Sequence, residues 1–152
     1  MPSPDRWWIS LAGLGHHGPV TKRDDTPSTR PLLDKLGVKP EHRAAVLNLD
    51  DGDFLFRLVS RASDVYVNRR RAGLDLIFVG ATRREDLRRL GSHRNFIAPD
   101  GAIWVVWPKG SKAINENDVR EAALAAGLVD VKVVSFSSAL SALKLVIRLK
   151  DR

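Results

Sequence analysis

Residues 95–110, NFIAPDGAIWVVWPKG, constrain the fold more tightly than any other stretch of the chain. They read as a helix end, a tight turn at Asp100-Gly101, and a strand apolar at every position from Ala102 to Trp107. A strand with one wet face alternates polar and apolar residues. One with no polar side is covered on both faces, the environment of an inner strand in a parallel α/β sheet. Trp104 and Trp107 stand three apart, so they point to opposite faces and each requires a helical layer above it. Pro108-Lys109-Gly110 then stop the strand at the edge where such sheets carry their sites.

The neighbouring segments supply those layers. A short helix begins near Thr29, with Pro31 in its first turn, Leu32, Leu33 and Leu36 on one side, and Gly37 as its stop. Residues 44–49 form a first strand, and Asp50-Asp51-Gly52-Asp53 turn it into a helix with Leu55, Leu58, Val59 and Ala62 at spacings of three and four. Residues 65–67 are a short second strand, 68–73 a basic turn, and 74–79 (LDLIFV) another strand apolar on both faces. Thr82 is expected to cap the next helix in a box with Glu85, turning Leu87, Leu90 and Ile97 inward. Asn115 or Asn117 caps a helix through Val119, Ala122, Ala123 and Ala126 that Gly127 ends. Strands at 131–136 and 143–149 follow, with Leu143, Leu145, Ile147 and Leu149 alternating along the second. The link between them is too short for a parallel crossover, so they form an antiparallel hairpin at a sheet edge. The expected fold class is a three-layer, Rossmann-like α/β domain over 30–152, its mostly parallel sheet ending in that hairpin, with 1–29 as an extension.

Composition narrows the function classes. The chain of 152 residues contains no cysteine, which excludes disulfides, thiolate nucleophiles and thiolate metal sites and accords with a reducing cytoplasm. No apolar run approaches the roughly 20 residues of a membrane-spanning helix, and the start lacks a convincing signal-peptide cleavage site. The expected location is therefore cytoplasmic, with no membrane partner. Net charge is +7 and unevenly placed, since ten Arg face four acids between Arg57 and Arg94. Such a face can attract nucleic acid or another polyanion. No recognition module accompanies it, so a solvated arginine-rich surface is the simpler reading.

Two motifs in the extension are misleading. Gly13-Leu14-Gly15-His16-His17-Gly18 matches a dinucleotide fingerprint, but Pro19 and the aperiodic residues after it leave no helix to receive a pyrophosphate. Adjacent histidines point apart on an extended chain, so His16-His17 read as a polar loop and no metal site is expected. Trp7-Trp8 would place one indole outward, and a homodimer is the expectation drawn from it.

The order of segments resembles the second half of a class I methyltransferase: a D-x-I/V strand (LDLIFV), then APDGAIWVVWPKG, then GLVDVKVVSF and a final antiparallel strand. PLLDKLGVKP (31–40), DGAIWVVWPKGS (100–111), DVREAALAAGLVDVKV (118–133) and SALKLVIR (141–148) also resemble a bacterial family catalogued as domain of unknown function 3052. Leu140 departs from it, standing where that family's pattern has Trp.

The methyltransferase resemblance implies S-adenosylmethionine on the loop after the first strand and an acid ending the second strand to hold the ribose. The matching loop places Asn48, Asp50 and Gly52 as the candidate cofactor-binding residues. It has one glycine, and Asp50, Asp51 and Asp53 would crowd the cofactor carboxylate with like charge. Asn68-Arg69-Arg70-Arg71 follow the second strand, with no acid. Lys109, Arg69, Arg70 and Arg71 are the candidate anion-binding residues. No nucleophile elbow, zinc motif or phosphate loop is present, His42 and His93 read as isolated surface residues, and no catalytic residue is assigned.

One point of geometry stays open. Seven steps from Val67 to Leu74 span at most about 25 Å, whereas a parallel crossover takes a dozen or more residues. Either a unit is missing there, or the second strand pairs differently. The reading is a methyltransferase-like, truncated fold serving as a binding or interaction module without a cofactor. The alternatives are an atypical S-adenosylmethionine-dependent methyltransferase and a polyanion or nucleic-acid binder.

Overall fold

The computed structural model describes residues 31–152. The readings at Trp7-Trp8, Gly13 to Gly18 and His16-His17 lie outside the described residues. A six-stranded sheet runs through the domain in the order β2-β1-β3-β4-β6-β5. Its strands are β1 (Arg43–Leu47), β2 (Asp64–Val67), β3 (Leu74–Gly80), β4 (Ile97–Pro108), β5 (Leu128–Ser135) and β6 (Leu140–Ile147). The first four pair in parallel, and β6 lies antiparallel between β4 and β5. The hairpin anticipated from the short link is present, although both strands begin about three residues earlier than expected. Leu149, expected to face inward, lies beyond β6 in a terminal 3-10 turn and is exposed.

Apolar residues cover both faces of the central strands. On one face Val46, Leu76, Phe78, Trp104 and Ala142 pack beneath α1 (Leu32–Lys35) and α2 (Gly52–Arg61). On the other Ile77, Val79, Ile103, Val105, Trp107 and Leu143 pack beneath α3 (Leu90–Arg94), its preceding 3-10 turn Arg84–Arg89, and α4 (Glu116–Ala125). Trp104 and Trp107 take opposite layers, as their spacing demands. The Trp104 indole is completely buried, and its Nε1–H donates to the Leu36 carbonyl across 3.2 Å, tying α1 to the sheet.

No turn forms at Asp100-Gly101. β4 is one twelve-residue strand, and the register slips between the pairs Leu74↔Ile97 and Leu76↔Ala102. The extra residues bulge out where Gly101 passes so close to the Asp75 carbonyl that a Cβ would sit 2.9 Å from it. The cap of the 3-10 turn also differs by one position. Asp86, not Glu85, closes the box, accepting from the Thr82 and Arg83 amides at 2.9 and 3.2 Å. At α4 the cap is Asn115, which accepts from the Asp118 amide while Asp118 returns the bond.

The register settles how β2 connects to β3. Val67 pairs with Val46, and Val46 with Phe78, so β2 runs parallel on the far side of β1. The chain must therefore return about 13 Å along the strands and two strand spacings sideways, about 16 Å in all. Residues 68–73 make that return directly, without a helix. They cross on the face of Tyr66, whose ring lies 5.4 Å from the Arg69 guanidinium and 5.5 Å from that of Arg71. Ala45, completely buried, is the β1 residue paired with Tyr66 on that face, and its small side chain leaves room for the passing chain. α2 covers the opposite face, so the two connections keep the common handedness as the chain reverses direction across the sheet.

Candidate functional site

β1 is followed leftward by β2 and flanked on its right by β3, so the carboxyl ends of β1 and β3 mark the point where the chain's course diverges. Ligands of open α/β sheets bind in the crevice at such a point. A cleft of about 720 Å³ opens there. Leu47 and Asn48 line it from β1, Asn68, Arg69 and Arg70 from beyond β2, and Val79 and Gly80 from β3. Arg83, Glu85, Asp86, Arg89 and His93 complete the wall from the 3-10 turn and α3.

The strand tips are locked by two asparagines in the left-handed region, Asn48 at φ 52° and Asn68 at φ 58°, a conformation Asn reaches more easily than most residues. The Asn48 amide donates to Asn68 Oδ1 across 3.0 Å, and Asn48 Nδ2 donates to the Gly80 carbonyl, also at 3.0 Å. Gly80 must lack a side chain, because a Cβ would sit 2.1 Å from the Asn48 carbonyl oxygen. Asn48 Oδ1 and Asn68 Nδ2 make no hydrogen bond among the described residues, and both side chains belong to cleft-lining residues.

The loop leading into α2 is turned to its own helix. Asp51 is the cap and accepts from the Phe54 amide at 3.0 Å. Phe54 is buried against Phe78 and Phe136, with ring centroids 5.0 and 4.8 Å away. Of the three candidate cofactor-binding residues, Asn48 lines the cleft, while Asp50 and Gly52 are exposed outside it.

The candidate anion-binding residues separate in the same way. Arg69 and Arg70 line the cleft and Arg71 does not. Lys109 is at the end of β4, where its Nζ donates to Ser135 Oγ across 2.7 Å, tying that strand to the hairpin. It takes no part in the cleft.

His93 was expected at the surface and is instead buried, 5% exposed. Arg70 Nη1 lies 3.2 Å from its Nδ1. A guanidinium can only donate, so Nδ1 accepts and a neutral ring carries its proton on Nε2. Burial, reinforced by the charges of Arg70 and Arg89, lowers the His93 pKa from 6.5 to about 4. Asp86 moves the same way for a different reason. The Thr82 amide bond favours its carboxylate against the opposing effect of burial, with the Arg83 amide assisting. Its charge is committed to capping, so Glu85 is the lining acid left for other use.

A smaller cavity of about 310 Å³ opens at the opposite edge of the sheet among Lys39, His42, Asp75, Asp100 and Lys144. Burial, together with the charge of Lys132, lowers the Lys144 pKa. Among the described residues, no group of three or more His, Cys, Asp or Glu could hold a metal ion. No described helix is long and apolar enough to cross a membrane.

Comparison with known proteins gives the fold a context. No family model matches the chain, so the likeness to domain of unknown function 3052 gains no support there, and no curated protein matches it. Solved structures do. A SAM-dependent methyltransferase from Aquifex aeolicus superposes with a TM-score of 0.62 at 14% identity, over 77% of this chain and 88% of that one. CalO1, a methyltransferase in calicheamicin biosynthesis in its SAH-bound form, superposes at 0.56 and 17% identity, over 77% of this chain and 52% of that one. LepI in complex with SAM does so at 0.54 and 14% identity, over 83% and 50%. At such identities the likeness establishes the methyltransferase-like fold. It also corrects the expectation of no cofactor, because the fold is one in which SAM and SAH are found bound.

Proposed function

We propose that the chain binds S-adenosylmethionine in the cleft at the β1 and β3 tips and is an atypical S-adenosylmethionine-dependent methyltransferase. The observation that carries this reading is the position of the cleft, at the point of divergence in a methyltransferase-like sheet. Its volume falls in the usual range for small-molecule sites, roughly 300–1,000 Å³.

The residues present fit the ligand by an unusual set of contacts. Asn48 Oδ1 and Asn68 Nδ2 offer one acceptor and one donor at the strand tips, in place of the glycine-rich loop and the second-strand acid that the family resemblance implies. Glu85, the lining carboxylate not spent on capping, is the group available to ribose hydroxyls. When bound, the cofactor supplies an activated methyl on a sulfonium. The protein's part is to orient it between the β1 and β3 tips and to set the charge around it. The absence of cysteine accords with a cytoplasmic setting.

A second reading is a module that holds the cofactor without transferring its methyl. The loop entering α2 bears on it, because Asp51 accepts from the Phe54 amide and Phe54 packs into the core against Phe78, so neither is free for a ligand. Thermal unfolding with millimolar S-adenosylmethionine or S-adenosylhomocysteine tests binding. A ligand at a hundredfold excess over its Kd stabilises by about 2.7 kcal/mol, which raises the Tm of a domain this size by about 5–10 °C. No shift with either compound would overturn both readings. A shift without methyl transfer to any acceptor would leave the second.

A further inference from the structure

We propose that the cleft takes a second ligand, a small-molecule acceptor whose carboxylate or phosphate docks on Arg70. This deepens the function proposed above and rests on it for the identity of the first ligand. A half-buried guanidinium normally finds a carboxylate, since an unpaired charge is costly to remove from water. Among the described residues Arg70 has none. Its partners are all neutral: Ser92 Oγ at 2.8 Å, His93 Nδ1 at 3.2 Å, and the Phe96 ring at 4.1 Å from the guanidinium carbon.

Both hydrogen bonds leave from Nη1. The Nε and Nη2 donors form no bond among the described residues, and that pair is the planar fork that meets two oxygens of one carboxylate or phosphate. The contacts on Nη1 and the ring hold the fork in place before any ligand arrives. His93, kept neutral by burial, supports Arg70 without balancing its charge. Arg83 and Arg89 extend the positive field along the same wall, and with Arg69 and Arg70 they outnumber the lining acids, Glu85 and the backbone-capping Asp86. A cleft so charged disfavours a lone sulfonium cation. An anion seated on Arg70 removes that conflict, which makes the acceptor's charge a condition for both ligands to bind well.

The test uses inorganic pyrophosphate as the anion probe. Its binding to the full chain is followed by calorimetry and by the imidazole resonances of His93, which contacts Arg70. Saturable binding is expected, with a rise in the His93 pKa as the neighbouring positive charge is screened. Arg70→Gln should weaken it about tenfold or more, Arg70→Lys less, and neither should abolish stabilisation by S-adenosylhomocysteine. Pyrophosphate binding without any S-adenosylhomocysteine stabilisation would retain the anion site and remove the cofactor reading. Competition between the two would overturn the proposal, because Arg70 would then hold the cofactor's own carboxylate. Failure of pyrophosphate to saturate by about 20 mM would also overturn it. So would a single-stranded RNA oligomer that binds more than about a hundredfold more tightly with a steep salt dependence, which would identify a nucleic-acid surface.

Discussion

His93 gives the domain a specific sensitivity to acid. Its pKa is lowered to about 4 in the folded chain, against 6.5 for an unburied histidine. Between those values the unfolded chain binds a proton that the folded chain refuses, so stability falls as pH falls from about 6.5 to about 4 and levels off below. A difference of about 2.5 units corresponds to about 3 kcal/mol, a large part of a typical domain's 5–15 kcal/mol. Carboxylates titrate in part of the same window, so the quantity to measure is a difference. His93→Asn keeps an acceptor for Arg70 in its Oδ1 but cannot titrate. Urea unfolding of both proteins from pH 7.5 to pH 4 should show the wild type losing about 3 kcal/mol relative to the variant, half of it by about pH 5.3. Curves that remain parallel within about 0.5 kcal/mol would show that His93 protonates in the folded state as readily as in water, which would refute a buried, neutral ring.

Two further outcomes follow from the core and the strand tips. Trp104→Ala should destabilise by about 3–5 kcal/mol, since the indole is completely buried and anchors α1; a loss below about 1 kcal/mol in denaturant titration would show that β4 is not central. Gly80→Ala should cost more than about 2 kcal/mol and weaken S-adenosylhomocysteine binding, because its methyl would collide with the Asn48 carbonyl; unchanged unfolding and binding would refute the close approach of the β1 and β3 tips.

The sheet was readable wherever composition alone dictated an environment. LDLIFV and AIWVVW have no polar side, so both had to be inner strands, and the two-sided burial of Trp104 and Trp107 follows from their spacing. Asp100-Gly101 carried the ordinary signature of a turn, yet the same residues serve as a bulge, because the pairing of β4 with β3 decides which of the two forms. The site was harder to see. Asn48 ends VLN and Asn68 ends YVN; the repeated strand-ending asparagine suits left-handed tips, but only the pairing of β1 with β2 shows that the two bond to each other. His93 reads as a lone polar residue among arginines, although it follows Leu87 and Leu90 at intervals of three and so lies on the apolar side of its helix. Arg70 and Arg71 are chemically identical in sequence. Only the crossing of 68–73 decides that one lines the cleft and the other faces solvent.

That direct crossing also bears on how the chain assembles. Before β3 can pair beside β1, the segment between them must close into a loop, and each halving of a flexible loop lowers the entropic cost by about 0.6 kcal/mol. A six-residue return, where a helical crossover takes a dozen or more residues, brings β3 to β1 at a smaller chain-entropy cost and reduces the sequence separation of their contacts. Rates of folding rise as that separation shrinks. The parallel half of the sheet, ordinarily the slower to form, is thereby brought nearer in kinetic terms to the local β5–β6 hairpin. Arg69 and Arg70, which line the cleft, are carried on that return.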